Sequence, residues 1–211
     1  MKIQSIQKKI KYLGYHSIFI YCFEIIYNSF LQLIYKFDKW HSFSPYHSRI
    51  YKTIVVDMVN RNISESSTVV DIGCGLGDII SRVNTNSRYG YDISNEIIKA
   101  AIFKNKKDIN FHNGSILDVN SNSNIKSISI LILVNWTHGI DGAAIVNDIK
   151  KLNKSKQIKF ILVDELYKTT SKEPIFHNYS VYFNNFAKEI ERQDDMESRN
   201  LVLFKVSNSS A

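Results

Sequence analysis

The residues best suited to chemistry lie in Asp71-Ile72-Gly73-Cys74-Gly75-Leu76-Gly77-Asp78. Glycines at alternate positions let a chain turn sharply and leave no Cβ between backbone and ligand. The spacing is G-x-G-x-G. A dinucleotide fingerprint reads G-x-G-x-x-G, and Asp78 stands where its third glycine would be. No Gly-Lys-Ser/Thr follows the turn, which excludes a phosphate-binding P-loop. Two carboxylates beside the turn, Asp71 and Asp78, would repel a pyrophosphate, but they suit a ligand with an ammonium group. Further acids and a histidine follow at the ends of apolar runs: Asp92, His138 and the pair Asp164-Glu165.

The elements that must position these groups are legible in outline. Thr68-Val69-Val70-Asp71-Ile72 is a β-branched run that suits a strand buried on both faces. Strand and glycine turn, followed by a short helix expected over Asp78 to Val83, open a nucleotide-binding α/β unit. Ser87 to Asp92 reads as a second strand and Ser94 to Phe103 as a covering helix, with apolar residues at Ile97, Ile98, Ala101 and Ile102. Ile54, Val55, Met58 and Val59 give Tyr51 to Asn60 a helical spacing. Ile128 to Val134 has the apolar continuity of a central strand, Asp141 to Leu152 reads as a helix, and Gln157 to Val163 as the next strand. Asn120 to Asn124 reads as a flexible crossover. Glu189 to Asp194 and Leu201 to Val206 suggest a terminal hairpin. These elements read as an α/β fold, a sheet flanked by helices with a C-terminal antiparallel hairpin and an extra N-terminal helix. S-adenosylmethionine (SAM) meets the demands of the turn, since it has an amino-acid end, a sulfonium and no phosphate.

Asp-Ile-Gly-Cys-Gly-Leu-Gly resembles motif I of class I SAM-dependent methyltransferases, and Tyr89-Gly90-Tyr91-Asp92-Ile93-Ser94 resembles the acid-ended second strand of that family. The resemblance implies that the sheet is a Rossmann-like seven-stranded mixed sheet, and it implies a SAM site built from Asp71, Gly73, Cys74, Gly75 and Gly77. It adds Asp92 and Ile93 at the ribose, Ser115 and Ile116 in the adenine region, and Asn135 at the end of the fourth strand. Ser115 departs from the family pattern, where Gly-Asp is usual. Phe37-Asp38-Lys39-Trp40-His41 is similar to a region ahead of the SAM motif in some methyltransferases of bacterial polysaccharide and O-antigen gene clusters. That similarity implies methylation of a sugar oxygen. Other expectations are a methyltransferase of another small metabolite or a lipid, or a non-catalytic subunit on the same fold. Asn135 is followed by Trp136 and not proline, so the Asn-Pro-Pro-Tyr type motif of amino-group DNA methylation is missing, and a nucleic-acid substrate is not expected.

A hydroxyl acceptor needs a general base. His138 is the first expectation for that role and His41 the second. Trp40, Tyr46 and Arg49 in the junction loop, with Trp136, Asp164 and Glu165 at strand ends, are the expected acceptor contacts, because ligands of open α/β sheets sit beyond the carboxyl ends of the strands. No metal-ligand spacing is visible.

At 211 residues with 44% hydrophobic and 22% charged residues, the chain has the composition of a globular protein long enough for a large core. The net charge of +7 is spread over scattered lysines, which reads as solvated faces. Two cysteines make no disulfide framework, so a cytoplasmic location is expected, with membrane association as an alternative. Residues 1–50 read as an N-terminal amphipathic helix and lid segment, and 51–211 as the methyltransferase domain. Between Lys11 and Lys36 the only formal charge is Glu24. His16, Glu24, Asn28 and Gln32 recur at multiples of four and draw a polar stripe along one helical side. The expectation is an amphipathic helix that packs as a lid or against a partner, with peripheral membrane contact through residues 12–35 as a further reading and a full span as the least favoured one.

Overall fold

The computed structural model describes residues 3–105, 108–168 and 175–207, with side chains described from residue 19 onward. Helices are α1 (Ile3–Tyr35), α2 (Lys39–Phe43), α3 (Ile50–Arg61), α4 (Asn95–Lys104), α5 (Gly142–Lys156) and α6 (Tyr179–Tyr182). Strands are β1 (Thr68–Ile72), β2 (Ser87–Asp92), β3 (Ile109–Asn113), β4 (Ile128–Leu133), β5 (Ile158–Leu166), β6 (Ala187–Asp194) and β7 (Arg199–Val206). They form one seven-stranded sheet in the order β3-β2-β1-β4-β5-β7-β6. β1 to β5 pair in parallel, and β7 pairs antiparallel with both β5 and β6. The order reverses at β1, so the carboxyl ends of β1 and β4 flank the crevice where such sheets bind ligands.

Alternation along the central strands explains the two-sided core. Leu131 and Leu133 of β4 point to one face, where Ile145, Val146, Ile149 and Leu152 of α5 cover them. Ile130 and Ile132 point to the other, against Ile54, Val55, Met58 and Val59 of α3. Each fully buried aliphatic side chain contributes roughly 1.5–3 kcal/mol of gross burial energy. This places β4 rigidly and fixes where its following loop emerges. The edge strand β6 alternates half-buried and exposed residues and carries Lys188, Glu189, Glu191 and Arg192, charges that protect an open edge from pairing.

The expected seven-stranded mixed sheet with its terminal hairpin is present; several boundaries differ. The helix expected over 78–83 is only a 3₁₀ turn, Ile80–Arg82. Nine residues separate Gly77 from the first residue of β2, too few for a long covering helix and a return. Ser81 N–H donates to Gly77 O and Arg82 N–H to Ile79 O, which closes the segment as one tight turn. The crossover expected to be irregular, 120–124, is entered by a 3₁₀ helix, Leu117–Ser121. β5 runs on to Leu166, so Asp164 and Glu165 lie within the strand and not beyond its end.

α1 is amphipathic in an unusual sense. Glu24, Asn28 and Gln32 face the domain, while Phe19, Phe23, Ile26, Phe30 and Leu33 are exposed. The side chain of His16 lies outside the described residues. No helix among the described residues is long and apolar enough to cross a membrane.

Candidate active site

Gly73 and Gly75 form the centre of the site. Gly73 N–H and Cys74 N–H both donate to Tyr91 O, 2.8 and 3.0 Å away, which ties the turn to the end of β2. Both glycines have positive φ, +70° and +54°, a conformation that side-chain-bearing residues rarely adopt. A Cβ on Gly73 would lie 2.6 Å from Trp136 Cδ1, and one on Gly75 would lie 3.0 Å from His41 Nδ1. The sequence therefore needs glycine here for close approach as well as for the turn.

Two cavities meet over this turn and share Trp40, His41, Gly73 and Asn135 as walls. The smaller, of about 50 Å³, also touches Lys52, Asp71, Cys74, Gly75 and Asp78. The larger, of about 570 Å³, extends past Asp92, Ile93, Ser115 and Ile116 on one side and Trp136, Ile140, Ile145 and Asp148 on the other. Among the described residues, no lysine or arginine lines the larger one.

The two carboxylates of the turn have different fates. Asp78 accepts from Lys52 Nζ and Lys104 Nζ, each at 2.7 Å. Burial alone would raise its pKa, but the two ammonium groups overcome this and hold it well below the usual carboxylate range. Asp78 is thus neutralised by the protein, contrary to the expectation that both acids await a ligand. Asp71 is buried, and its Oδ2 has no partner among the described residues. Burial, with Asp92 and Asp78 adding repulsion against a smaller opposing effect of Lys52, pushes its pKa up to about 8. A buried carboxylate with an unpartnered oxygen at a cavity wall is a fitting place for an ammonium group.

Asp92 ends β2 and accepts from Gly75 N–H and Ser94 N–H, both at 3.0 Å, so it locks the glycine turn and holds Ser94, the N-cap of α4, while facing the larger cavity. Ser115 lines that cavity, but its N–H and hydroxyl both donate to Asp118 Oδ2, at 2.6 and 2.8 Å. Asp118 supplies the acid that the sequence lacks at position 115, and it uses it to brace the loop. Gly77 faces away from both cavities, toward Phe111 and Asn105. Cys74 is buried, and burial pushes its thiol up, so it is no nucleophile.

The two histidines considered for base chemistry are placed very differently. β4 ends at Leu133, and Asn135, at φ +71°, redirects the chain into the 3₁₀ turn Thr137–Gly139. His138 is thereby turned back against β5. Its Nε2 is 3.0 Å from Asp164 Oδ2, its Nδ1 is buried, and it lines neither cavity. Arg199 Nη1 donates to the same Asp164 oxygen at 2.5 Å and to Asn135 Oδ1 at 3.0 Å. Burial opposes ionisation of Asp164, and His138 with Arg199 more than compensates, so its pKa is lowered. This network, with Arg199 as a member the sequence did not reveal, fixes the loop after β4. Glu165 is likewise occupied, accepting from Tyr179 N–H and Arg192 Nη1, each at 2.7 Å. Neither acid is free to hold an acceptor.

His41 stands at the seam of the two cavities, and neither ring nitrogen is hydrogen-bonded among the described residues. Burial lowers its pKa, with Lys52 adding to this against Asp92, Asp38 and Asp78, so the imidazole is neutral near pH 7. The inward polar stripe of α1 positions it. Asn28 Nδ2 donates to His41 O at 3.5 Å, Ser42 Oγ donates to Asn28 O at 3.4 Å, and Gln32 Nε2 donates to Phe37 O at 3.2 Å. Glu24 accepts from His47 N–H and Nδ1 and pairs with Arg82. Leu31 and Phe37 pack beside Cys74 and Leu76, so the helix closes over the glycine turn. Trp40 lines both cavities, and the Arg49 guanidinium lies 5.0 Å from its ring centre. Tyr46 is buried beneath Arg82. Tyr46 and Arg49 support Trp40 and α1 without lining a cavity.

Residues 63–198 match the family described as a methyltransferase domain. The chain belongs to that family. This methyltransferase has S-adenosylmethionine as its cofactor. It shares its fold with the N-methyltransferase NodS of Bradyrhizobium japonicum WM9, solved with S-adenosyl-L-homocysteine, at TM-score 0.62 and 14% identity over 78% of this chain and 89% of NodS. Magnesium protoporphyrin IX methyltransferase (ChlM) of Synechocystis PCC 6803, solved with SAM, superimposes at TM-score 0.56 and 13% identity, over 75% of this chain and 80% of ChlM. No curated protein matches the sequence. The family match begins after α3, so α1, α2 and His41 lie outside it.

Proposed function

We propose that this methyltransferase methylates a hydroxyl of a neutral sugar in a bacterial surface polysaccharide, with His41 as general base. The observation that carries the reading is the neutral His41 imidazole, without a hydrogen bond among the described residues, at the seam between the glycine turn and the larger cavity. SAM supplies an electrophilic methyl group on a sulfonium. Asp71 would hold its ammonium group and Asp92 its ribose hydroxyls, while Ile93 and Ile116 offer apolar walls to adenine. Ser115 is engaged by Asp118, so backbone groups of that loop would serve the adenine edge. His41 would take the proton from the acceptor oxygen as the new O–C bond forms, while the S–CH3 bond of the bound sulfonium breaks and S-adenosylhomocysteine leaves as a neutral thioether. A general base of this kind contributes about 10²–10⁴ in rate. Trp40 and Trp136 offer flat faces to a sugar ring and shield the reacting atoms from water. Among the described residues the walls of the larger cavity are mostly apolar, with Asp92 and Asp148 as their charged members, which supports an uncharged glycan over a phosphate-bearing acceptor.

A second reading is an amine acceptor, such as an amino sugar, favoured by the carboxylates of Asp92 and Asp148 on the walls of the larger cavity. Methyl-labelled SAM offered with neutral glycan fragments and with amino sugars separates the two. Label in an O-methyl group, lost in His41→Asn with SAM affinity retained, is the expected result. Label confined to nitrogen would overturn the hydroxyl reading, and SAM binding without turnover on any acceptor would favour a non-catalytic subunit.

A further inference from the structure

We propose that the outer face of α1 pairs with the same face of a second copy of this chain, forming a two-fold dimer. Phe19, Phe23, Ile26, Phe30 and Leu33 are between 53% and 76% exposed, and Ile34 is 51% exposed. These side chains leave on the order of 700 Å² of apolar surface in water, using about 150–250 Å² per large side chain. A monomer seldom shows a patch this large without a function for it.

The helix cannot hide that face by rolling over. Its opposite side is fixed by Glu24 to His47 and Arg82, by Asn28 to His41 O, and by Leu31 in the core. The spacing of the exposed residues identifies the occupant. Phe19, Ile26 and Leu33 recur every seven residues, and Phe23 and Phe30 do the same, giving steps of four and three. That is the period at which side chains of one helix seat between those of another, and it has no counterpart in a fluid lipid surface. The face is also self-complementary. Glu24 is the only formal charge between Lys11 and Lys36, and it points inward, so two copies meet without burying a charge. An isologous contact makes each copy donate the same patch. Two such patches together bury on the order of 1,000 Å² or more, enough for a specific interface. Helices that lie in a membrane interface carry lysine and arginine on their polar side. Here the described polar side is Glu24, Asn28 and Gln32, already bonded to the protein.

The test is the mass of the full chain by sedimentation or light scattering at tens of micromolar, with Ile26→Asp and Phe30→Asp as disrupting variants and Ile26→Leu as control. The proposal expects a dimer for the wild type and Ile26→Leu. It expects a monomer for each aspartate variant, with circular dichroism and SAM affinity unchanged, because neither residue lines a cavity. A wild-type monomer throughout the range overturns it, whatever the variants do. So does an aspartate variant that folds and remains dimeric. A wild type that is monomeric in buffer but floats with vesicles containing phosphatidylserine assigns the face to lipid instead.

Discussion

Replacing Asp71 with asparagine tests the electrostatics of the site from both directions. In the folded protein the Asp71 pKa is pushed up to about 8, whereas in the unfolded chain an aspartate titrates near about 4. Between these values the folded state keeps a proton that the unfolded state has released. Stability therefore falls as pH rises through that window, by about 1 kcal/mol or somewhat more per pH unit. From pH 5 to pH 7 the wild type should lose about 2–3 kcal/mol from this group alone. The asparagine of the variant is neutral throughout and keeps nearly the same shape. The stability difference, variant minus wild type, should therefore rise by that amount over the same interval, as read by urea unfolding without ligand. SAM binding should move in the opposite sense. The variant loses a charge-assisted hydrogen bond to the ammonium group, worth about 1.5–3 kcal/mol, or roughly ten- to more than hundredfold in affinity. Because the wild-type carboxyl is protonated near pH 7 and ionises against an ammonium group, binding should also release close to one proton. Calorimetry in two buffers of different ionisation enthalpy measures that release. Parallel pH–stability curves for the two proteins, with unchanged SAM affinity, would refute the assignment of Asp71 as the buried, waiting acid.

Asp78→Asn should destabilise the protein by about 3–5 kcal/mol in denaturant, since buried Lys52 and half-buried Lys104 would be left without their counter-charge. The wild-type pair should also weaken in acid: its carboxyl is depressed, so its contribution is present above the unfolded pKa and is lost as pH falls below about 4 toward the folded value. His138→Asn should lower stability, by breaking the contact to Asp164, and leave the pH dependence of turnover intact. A missing limb in its pH profile would return the base to that position. Leu131→Ala, at the fully buried centre of the sheet, should cost about 2–5 kcal/mol by urea unfolding, with SAM affinity little changed.

Where local chemistry decides a feature, the sequence shows it. Thr68–Ile72 and the glycines after it announce strand and turn because β-branched runs and positive φ leave few alternatives. Ser94 announces the start of α4, and its side chain accepts from Ile97 N–H. The polar stripe of α1 is visible as a period, but its direction is not. A period says that two faces differ, not which one meets the domain. The hidden features depend on pairs distant in sequence. Asp71 and Asp78 look alike in the chain, and only the arrival of Lys52 from α3 and Lys104 from α4 separates a neutralised acid from a waiting one. His138 sits at the end of the right strand, yet Asn135 and Arg199 turn it onto Asp164. His41 reaches the site because residues 13 and 14 positions apart, Asn28 with His41 and with Ser42, fold α2 back over the turn. No local pattern encodes these contacts.

The central claim is that Gly73 and Gly75 make room for SAM beneath His41. Gly75→Val adds a branched side chain at φ +54°, directed at His41 Nδ1 and into the smaller cavity. The direct measurement is calorimetric titration of SAM into wild type and this variant, with circular dichroism confirming that both are folded. The account predicts one site per chain in the wild type and no measurable binding in folded Gly75→Val. A folded variant that binds SAM as tightly as the wild type would contradict it.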